Sequence, residues 1–171
     1  MQKKSDIGIK AYAEAAVFAA VIMVATAFVR VPGPLGFMHL GDAVIFLAAV
    51  LLPTPLAAAA SALGAGAADI IAGYPVYIIP TIIIKALMTL PFKKADYRNN
   101  INIITLRNII ACIISTVIGA GGYLLTELIL YGNGAFLSLP FNFIQEAAGV
   151  LIFIAIGSAI DRSDVKKIFK N

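Results

Sequence analysis

Long, unbroken apolar segments are the feature of this chain that most restricts its fold. Of its 171 residues, 61% are hydrophobic and 13% are charged, and the apolar runs lack the polar interruptions of a soluble domain. A helix that crosses a bilayer needs about 20 predominantly apolar residues, so a chain of this length supplies roughly six spans with short connections. We therefore predict an integral membrane protein without a soluble domain of useful size.

Prolines and glycines divide the apolar sequence into six predicted helices. Pro32 and Pro34 follow the first helix, Pro53 and Pro55 mark a tight turn, and Pro91 ends the fourth helix. The predicted fold class is an all-α membrane protein, a six-helix transmembrane bundle that forms a single domain over residues 1–171. Its helices are predicted at residues 9–28, 42–52, 56–72, 77–90, 106–130 and 140–160. The second is too short to cross an ordinary bilayer upright.

Basic residues are concentrated in three segments of the chain. Three precede the first helix, four lie between the fourth and fifth helices, and four lie in the C-terminal tail, whereas only Arg30 lies in a loop on the other side. With an even number of spans the three segments share one face, so the positive-inside rule places both termini in the cytoplasm. The net charge of +4 is then explained by the orientation of the protein in the membrane, so we expect no nucleic-acid partner.

This topology collects polar side chains in the outer half of the bundle. Ionisable groups are costly in hydrocarbon and normally face a bundle interior or a water-filled cavity, which makes them candidates for function. With Lys85 near the middle of the fourth helix, the candidate ligand-binding residues are His39, Asp69, Tyr74, Tyr77, Lys85, Glu127, Asn142, Gln145 and Glu146.

Asn142, Gln145 and Glu146 form the most informative group among these candidates. Spacings of three and four residues place them on one face of the sixth helix, just inside its outer end. That face contacts either a ligand or neighbouring helices through a hydrogen-bond network. Amide side chains both donate and accept hydrogen bonds, which suits the edge of a heterocycle better than a bare ion.

The other polar candidates each allow a structural role as well as a functional one. Asp42 stands where a helix N-cap is expected. Asp69 and Lys85 can pair with one another or with a neighbouring carboxylate, and Tyr74 and Tyr77 can stack on a flat ring or anchor the chain at the membrane interface. The sequence leaves both roles open for every one of them.

A single histidine and a single cysteine give little basis for a metal or redox site. His39 has no second histidine, and no two-carboxylate spacing surrounds it. Cys112 lies in an apolar stretch and has no partner cysteine. We therefore expect no metal and no cofactor.

Overlapping patterns of small residues mark one side of the first helix. Ala15 and Ala19, and likewise Ala16 and Ala20, are four residues apart. Such a face permits the close approach of another helix, either in a partner subunit or within the same bundle.

Taken together, these features resemble the substrate-binding S component of an energy-coupling factor (ECF) vitamin transporter. The resemblance extends over nearly the whole chain. It rests on the size and six-helix layout, the alanine pattern from Ala15 to Ala19, the segment Leu40-Gly41-Asp42-Ala43, and the run Ala68-Asp69-Ile70-Ile71-Ala72-Gly73-Tyr74-Pro75.

The resemblance implies a protein that works with partners in the plasma membrane of a bacterium. The alanines of the first helix would dock on a scaffold membrane subunit, and two cytoplasmic ATPases would drive that scaffold. The loop around Phe37, Met38 and His39 would form a lid over a ligand enclosed by helices four to six. The S component would topple in the membrane to turn its loaded site inward. The chain lacks a Gly-x-x-x-x-Gly-Lys-Ser/Thr loop, as expected of a binding subunit.

The expected ligand is a flat nitrogen heterocycle. The resemblance favours hydroxymethylpyrimidine, pyridoxine or a queuosine precursor, while riboflavin, thiamine and biotin remain open. We do not expect an enzyme, although an intramembrane enzyme could use Asp42, Asp69 or Glu146 in acid-base chemistry. A self-sufficient transporter or channel is the other alternative, and the absence of an evident internal repeat argues against the common inverted-repeat designs.

Overall fold

The computed structural model describes residues 8–166, which form six α-helices and one small β-hairpin. Lys3, Lys4, Lys167 and Lys170, which enter the charge count above, lie outside these residues. The helices are α1 (Ile9–Ala27), α2 (Gly41–Leu51), α3 (Thr54–Ala72), α4 (Ile78–Thr89), α5 (Leu106–Tyr131) and α6 (Leu139–Arg162). Turns of 3-10 helix, Pro75–Tyr77 and Gly132–Leu137, precede α4 and follow α5. The all-helical class is confirmed.

Four of the described helices are long and apolar enough to cross a membrane: α1, α3, α5 and α6. The shorter α2 and α4 have 11 and 12 residues. At about 1.5 Å per residue each rises roughly 17 Å, well below the approximately 30 Å of a typical hydrocarbon core. By length and composition, the chain is a multi-pass membrane protein with two shorter helices between its long ones.

The segment between α1 and α2 is a β-hairpin, where the sequence indicated only a loop. Strand β1 (Arg30–Pro32) pairs antiparallel with β2 (Phe37–His39), and the amide of Gly33 donates to the carbonyl of Gly36 at 2.9 Å to close the turn. Strands of three residues are too short to show an alternating pattern, which explains why the sequence did not reveal them. The hairpin lies at the end of the bundle where α3 ends and α4 begins.

The shortest described helix forms the centre of the bundle. In α2 every residue except Val44 is buried, and the helix packs against α1, α3, α4 and α6. The ring of Phe46, in α2 itself, lies 5.4 Å from that of Phe92 and 6.0 Å from that of Phe153, centroid to centroid. A helix enclosed on all sides needs no lipid-facing surface, so its short length fits its position.

A buried group of charged side chains joins α2, α4 and α6. The Lys85 ammonium lies 2.5 Å from Asp42 Oδ1 and 3.8 Å from Glu146 Oε1, and all three side chains are at most 1% exposed. Gln145 Nε2 donates to Asp42 Oδ2 at 2.6 Å. We call Asp42, Lys85, Gln145 and Glu146 the buried polar cluster. Lys85 therefore pairs with neighbouring carboxylates and not with Asp69.

Asp42 does not cap a helix, so that interpretation of the sequence is wrong. The N-cap of α2 is Leu40, whose side chain makes no capping hydrogen bond, and the Gly41 amide donates to His39 Nδ1. The Asp42 carboxylate, in the first turn of α2, instead accepts from Lys85 and Gln145. Local sequence cannot distinguish a cap from a buried ion-pair partner, because the partners come from distant helices.

A single carboxylate fixes the connection between α4 and α5 at the other end of the bundle. Asp161 accepts from the Tyr97 hydroxyl at 2.8 Å and from the amides of Ile103 and Ile104 at 2.9 Å each. Burial, reinforced by the hydrogen bond and negative charge of Asp161, raises the pKa of Tyr97 above its usual range. This end carries Lys93 and Lys94 and lies opposite the hairpin.

The contact between α1 and α3 gives a first prediction. A Cβ atom at Gly64 would lie 2.5 Å from the carbonyl oxygen of Ala19 and 3.0 Å from Ile22 Cβ, whereas a Cβ at Gly121 in α5 would meet nothing within 4 Å. We expect Gly64→Ala to destabilise the protein by about 1–3 kcal/mol through overpacking. Gly121→Ala should be neutral or stabilising. Thermal unfolding in detergent measures both, and equal melting temperatures would contradict the described packing.

The buried polar cluster gives a second prediction. Lys85→Met keeps the side-chain length but leaves Asp42 without its ammonium partner, and breaking a buried pair in this way costs roughly 3–5 kcal/mol. Adding Asp42→Asn to Lys85→Met removes the uncompensated charge, so the double variant should be more stable than the single one. Thermal unfolding of the two variants checks this, and a double variant no more stable than Lys85→Met would argue against the pair.

Candidate ligand-binding site

A pocket opens between the hairpin and the neighbouring ends of α3, α4, α5 and α6. About 560 Å³ of space lies within it, a figure that includes open solvent at its mouth. Helices of alternating direction bring the C-terminal ends of α3 and α5 beside the N-terminal ends of α4 and α6. The lining residues are Gly33, Pro34, Leu35, Gly36, Phe37, Met38, His39, Asp69, Tyr74, Tyr77, Thr81, Tyr123, Glu127, Ser138, Phe141, Asn142 and Gln145.

The hairpin covers the pocket and is tied to two helices. The Tyr77 hydroxyl donates to the carbonyl of Leu35 at 3.0 Å, which connects the hairpin turn to the start of α4. The His39 amide donates to Gln145 Oε1 at 3.0 Å, which connects β2 to α6. Because these bonds come from opposite walls, the hairpin is held across the pocket.

Four aromatic rings form one continuous wall of the pocket. Phe37, Tyr74, Tyr77 and Tyr123 follow one another with centroid separations of 5.2, 6.3 and 6.4 Å. The Tyr123 hydroxyl also lies 3.1 Å from the Thr81 hydroxyl. We call these four rings the aromatic wall. Such a surface offers large apolar area and ring faces on which a flat ligand can stack.

Several polar atoms in the pocket are buried without a hydrogen-bond partner among residues 8–166. They are Asp69 Oδ2, Glu127 Oε2, Ser138 Oγ and Asn142 Nδ2. Asp69, Glu127 and Ser138 are 6%, 5% and 4% exposed. A buried polar group without a partner costs about 1–3 kcal/mol, so a polar ligand that supplied the partners would gain binding energy. These atoms come from three different helical segments and converge on one space.

His39 is neutral in this site. Its Nδ1 accepts from the amide of Gly41 at 3.1 Å, so the ring proton lies on Nε2. Burial is the main cause that lowers the pKa of His39, to about 4, with the Lys85 charge adding to it and Asp42 opposing it. His39 therefore presents an uncharged ring at physiological pH.

The structure brings most of the predicted ligand-binding residues together around this pocket. His39, Asp69, Tyr74, Tyr77, Glu127, Asn142 and Gln145 line it. Lys85 and Glu146 do not, and instead belong to the buried polar cluster beneath it. The polar residues of α6 therefore belong to two different places. Asn142 lines the pocket, Glu146 lies beside Lys85 in the buried polar cluster, and Gln145 belongs to both the pocket and the cluster.

Several lining residues are not among those predicted from the sequence, although helical geometry places two of them beside predicted ones. Thr81 lies one turn after Tyr77, and Tyr123 lies one turn before Glu127. Extending the polar faces of α4 and α5 by four residues would have found both. Ser138 and Phe141 gave no such signal, because their orientation depends on the 3-10 turn before α6.

The part of the chain that the structure describes contains no group of three or more His, Cys, Asp or Glu side chains placed to hold a metal ion. The Cys112 side chain is buried in α5 and has a free thiol.

The alanine patterns of α1 separate into two faces. Ala15 is buried, and the backbone of Ala19 approaches Gly64 of α3, so this pair packs within the bundle. Ala16 and Ala20 are exposed. Only the second pair is free for contact with another subunit.

Comparison with known proteins agrees with this architecture. An "uncharacterized protein in gap 3′ region" from Pyrococcus woesei is 30% identical over 142 residues, which cover 80% of this chain and 91% of that protein. The model of the family described as ECF-type riboflavin transporter, S component, matches residues 6–162. That family consists of transporter subunits and is not an enzyme family. Because the match covers nearly the whole chain, the resemblance drawn from the sequence is confirmed, and the protein belongs to the ECF-type riboflavin transporter S component family.

Proposed function

We propose that this subunit captures a small, water-soluble heterocyclic micronutrient in the pocket beneath the hairpin, on the extracytoplasmic side of the plasma membrane. The observation that carries the proposal is the convergence of unpartnered, buried polar atoms on a space walled by aromatic rings. A flat ring with polar edges matches both features, because it can stack on Tyr74 or Tyr77 while its edges bond to Asp69, Glu127 and Asn142.

The distribution of charge supports the proposed side of binding. Arg30 is the one basic residue of the hairpin, whereas Lys93, Lys94 and Arg107 lie at the opposite end, near the beginning of α5. Under the positive-inside rule that end faces the cytoplasm and the pocket faces outward. The proposal includes six membrane crossings in a single domain, residues 1–171, with both termini inside.

The proposed ligand class includes several nutrients with shared chemistry. Hydroxymethylpyrimidine, pyridoxine and queuosine precursors are flat nitrogen heterocycles, as is riboflavin, which the family description names. All present donors and acceptors around a ring. The amide of Asn142 has a buried, unpartnered Nδ2 that can donate to a ring nitrogen or carbonyl.

Transport by this subunit would require the partners of an ECF complex. We propose that a scaffold membrane subunit and two cytoplasmic ATPases supply the movement and the energy. The exposed pair Ala16 and Ala20 on α1 is the proposed docking face, since small residues let helix backbones approach closely. Ala15 and Ala19 would support that face from within the bundle.

A binding screen tests the proposed function. Purified protein should show 1:1 binding and a raised melting temperature with at least one member of a panel of riboflavin, hydroxymethylpyrimidine, pyridoxine and 7-deazaguanine compounds. Asn142→Ala should weaken that binding about tenfold, because one hydrogen bond is lost. Asn102→Ala, at an exposed position between α4 and α5, is the matched control and should bind normally. Absence of binding across the panel, or normal binding by Asn142→Ala, would count against this site.

The docking face gives a separate prediction. Ala20→Phe places a bulky ring where a neighbouring helix would approach, and we expect it to abolish co-purification with the scaffold subunit and ligand uptake in cells. Ligand binding by the purified subunit should be unchanged, because no residue of α1 lines the pocket. Ala155→Phe on the exposed face of α6 is the control and should retain uptake. Normal complex formation by Ala20→Phe would exclude this face.

A further inference from the structure

The acidic side chains of the pocket have no lysine or arginine beside them in its described lining. Asp69 and Glu127 both line it, and none of its described lining residues is a lysine or an arginine. Lys85 lies outside the lining and already contacts Asp42 and Glu146. His39 adds no positive charge, because it is neutral at physiological pH. Two acidic side chains thus face the pocket without a cationic side chain in its wall.

Each of these acids has a hydroxyl neighbour, Thr81 beside Asp69 and Ser138 beside Glu127, and one oxygen to which no described group hydrogen-bonds. Asp69 Oδ2 and Glu127 Oε2 have no hydrogen-bond partner within the described chain, and the two residues are 94–95% buried, being 6% and 5% exposed. The other oxygen of Glu127 lies 3.5 Å from the Tyr77 hydroxyl. Ionised carboxylates only accept hydrogen bonds, and their strongest partners are charged N–H donors.

The aromatic wall is complementary to the same kind of group. Ring faces carry partial negative charge and attract a cation within about 6 Å of the centroid, most strongly where water is excluded. Tyr74 and Tyr77 line the pocket together with the two acids. The other two rings of the wall already face protein cations, since Lys85 Nζ lies 5.1 Å from the Tyr123 centroid and the Arg30 guanidinium lies 4.9 Å from the Phe37 centroid. The combination of carboxylates and ring faces is suited to a positively charged group attached to a flat ring.

We propose that the natural ligand carries a protonated amine that the Asp69 and Glu127 carboxylates bind against the aromatic wall. The pocket would then select amine-bearing heterocycles over neutral analogues and reject phosphorylated or carboxylated ones, since an anion would meet two acids and no lysine or arginine in the lining. This inference rests on the proposed function and narrows its ligand class.

Matched pairs of probes test the inference by isothermal titration calorimetry. The pairs are 7-aminomethyl-7-deazaguanine with 7-cyano-7-deazaguanine, and pyridoxamine with pyridoxine. Within each pair the ring is the same and the amine is replaced by a neutral group. We expect the amine of at least one pair to bind about 10–100-fold more tightly than its partner, the range that a charge-assisted hydrogen bond provides. Pyridoxamine phosphate should bind more weakly than pyridoxamine.

Neutral variants of the two acids separate this inference from the proposed function. Asp69→Asn and Glu127→Gln keep the shape of the side chains. Each should reduce the preference for the amine probe over its neutral partner about tenfold or more, because only the amine probe loses a charge–charge contact. A cooperative thermal unfolding transition close to that of the unaltered protein shows that the variant is folded. Glu14→Gln removes an acid on α1, outside the pocket, and should keep the full preference.

The outcomes decide between the two proposals. Equal affinity for amine and neutral probes, or an amine preference that survives both variants, overturns the inference and leaves the proposed function intact. Binding of neither amine overturns it as well. If the neutral probes and riboflavin also fail to bind, the proposed function falls with it.

Discussion

The ion pair between Asp42 and Lys85 is the interaction on which the positions of the other elements depend. Charges buried in an apolar bundle are tolerated only when they are paired at short range, so α2 and α4 must meet at one register. Glu146 and Gln145 extend the constraint to α6. Since α2 begins directly after the hairpin, fixing this helix also fixes where β2 leaves the bundle. The shape of the pocket therefore depends on Asp42, Lys85 and Glu146, although none of these three charged residues lines it.

Much of the helical layout could be predicted because it depends on local sequence. The six helices begin and end within about two residues of the predicted positions, since prolines and glycines mark their ends. The sequence showed the alanine pattern on α1 but not which alanines are exposed, because Ala15 and Ala16 differ only in which neighbours surround them. Contact with α3 through Gly64, a property of the assembled bundle, decides which alanines remain exposed.

The sequence was enough to predict most residues of the candidate site, but not how they are arranged around the pocket. Hydrocarbon forces Asp69, Glu127 and Asn142 towards a common interior, and this requirement is visible in sequence once the topology is known. The sequence could not show that Asn142 lines the pocket while Glu146 lies in the buried polar cluster, because both lie on one face of α6. It could not show the hairpin over the pocket either. A short hairpin is stabilised by its bonds to Tyr77 and Gln145 and leaves little periodicity of its own.

Gln145 connects the hairpin, which covers the pocket, with the buried polar cluster below it. Its oxygen accepts from the His39 amide, and its nitrogen donates to Asp42, so both ends of one amide are already engaged. A carboxylate here would repel Asp42, and an alkyl chain would leave two buried groups unsatisfied. The side chain thus has a fixed orientation and no free hydrogen-bonding group. Under the proposed function, a change of ligand selectivity would therefore have to begin on α3 and α5.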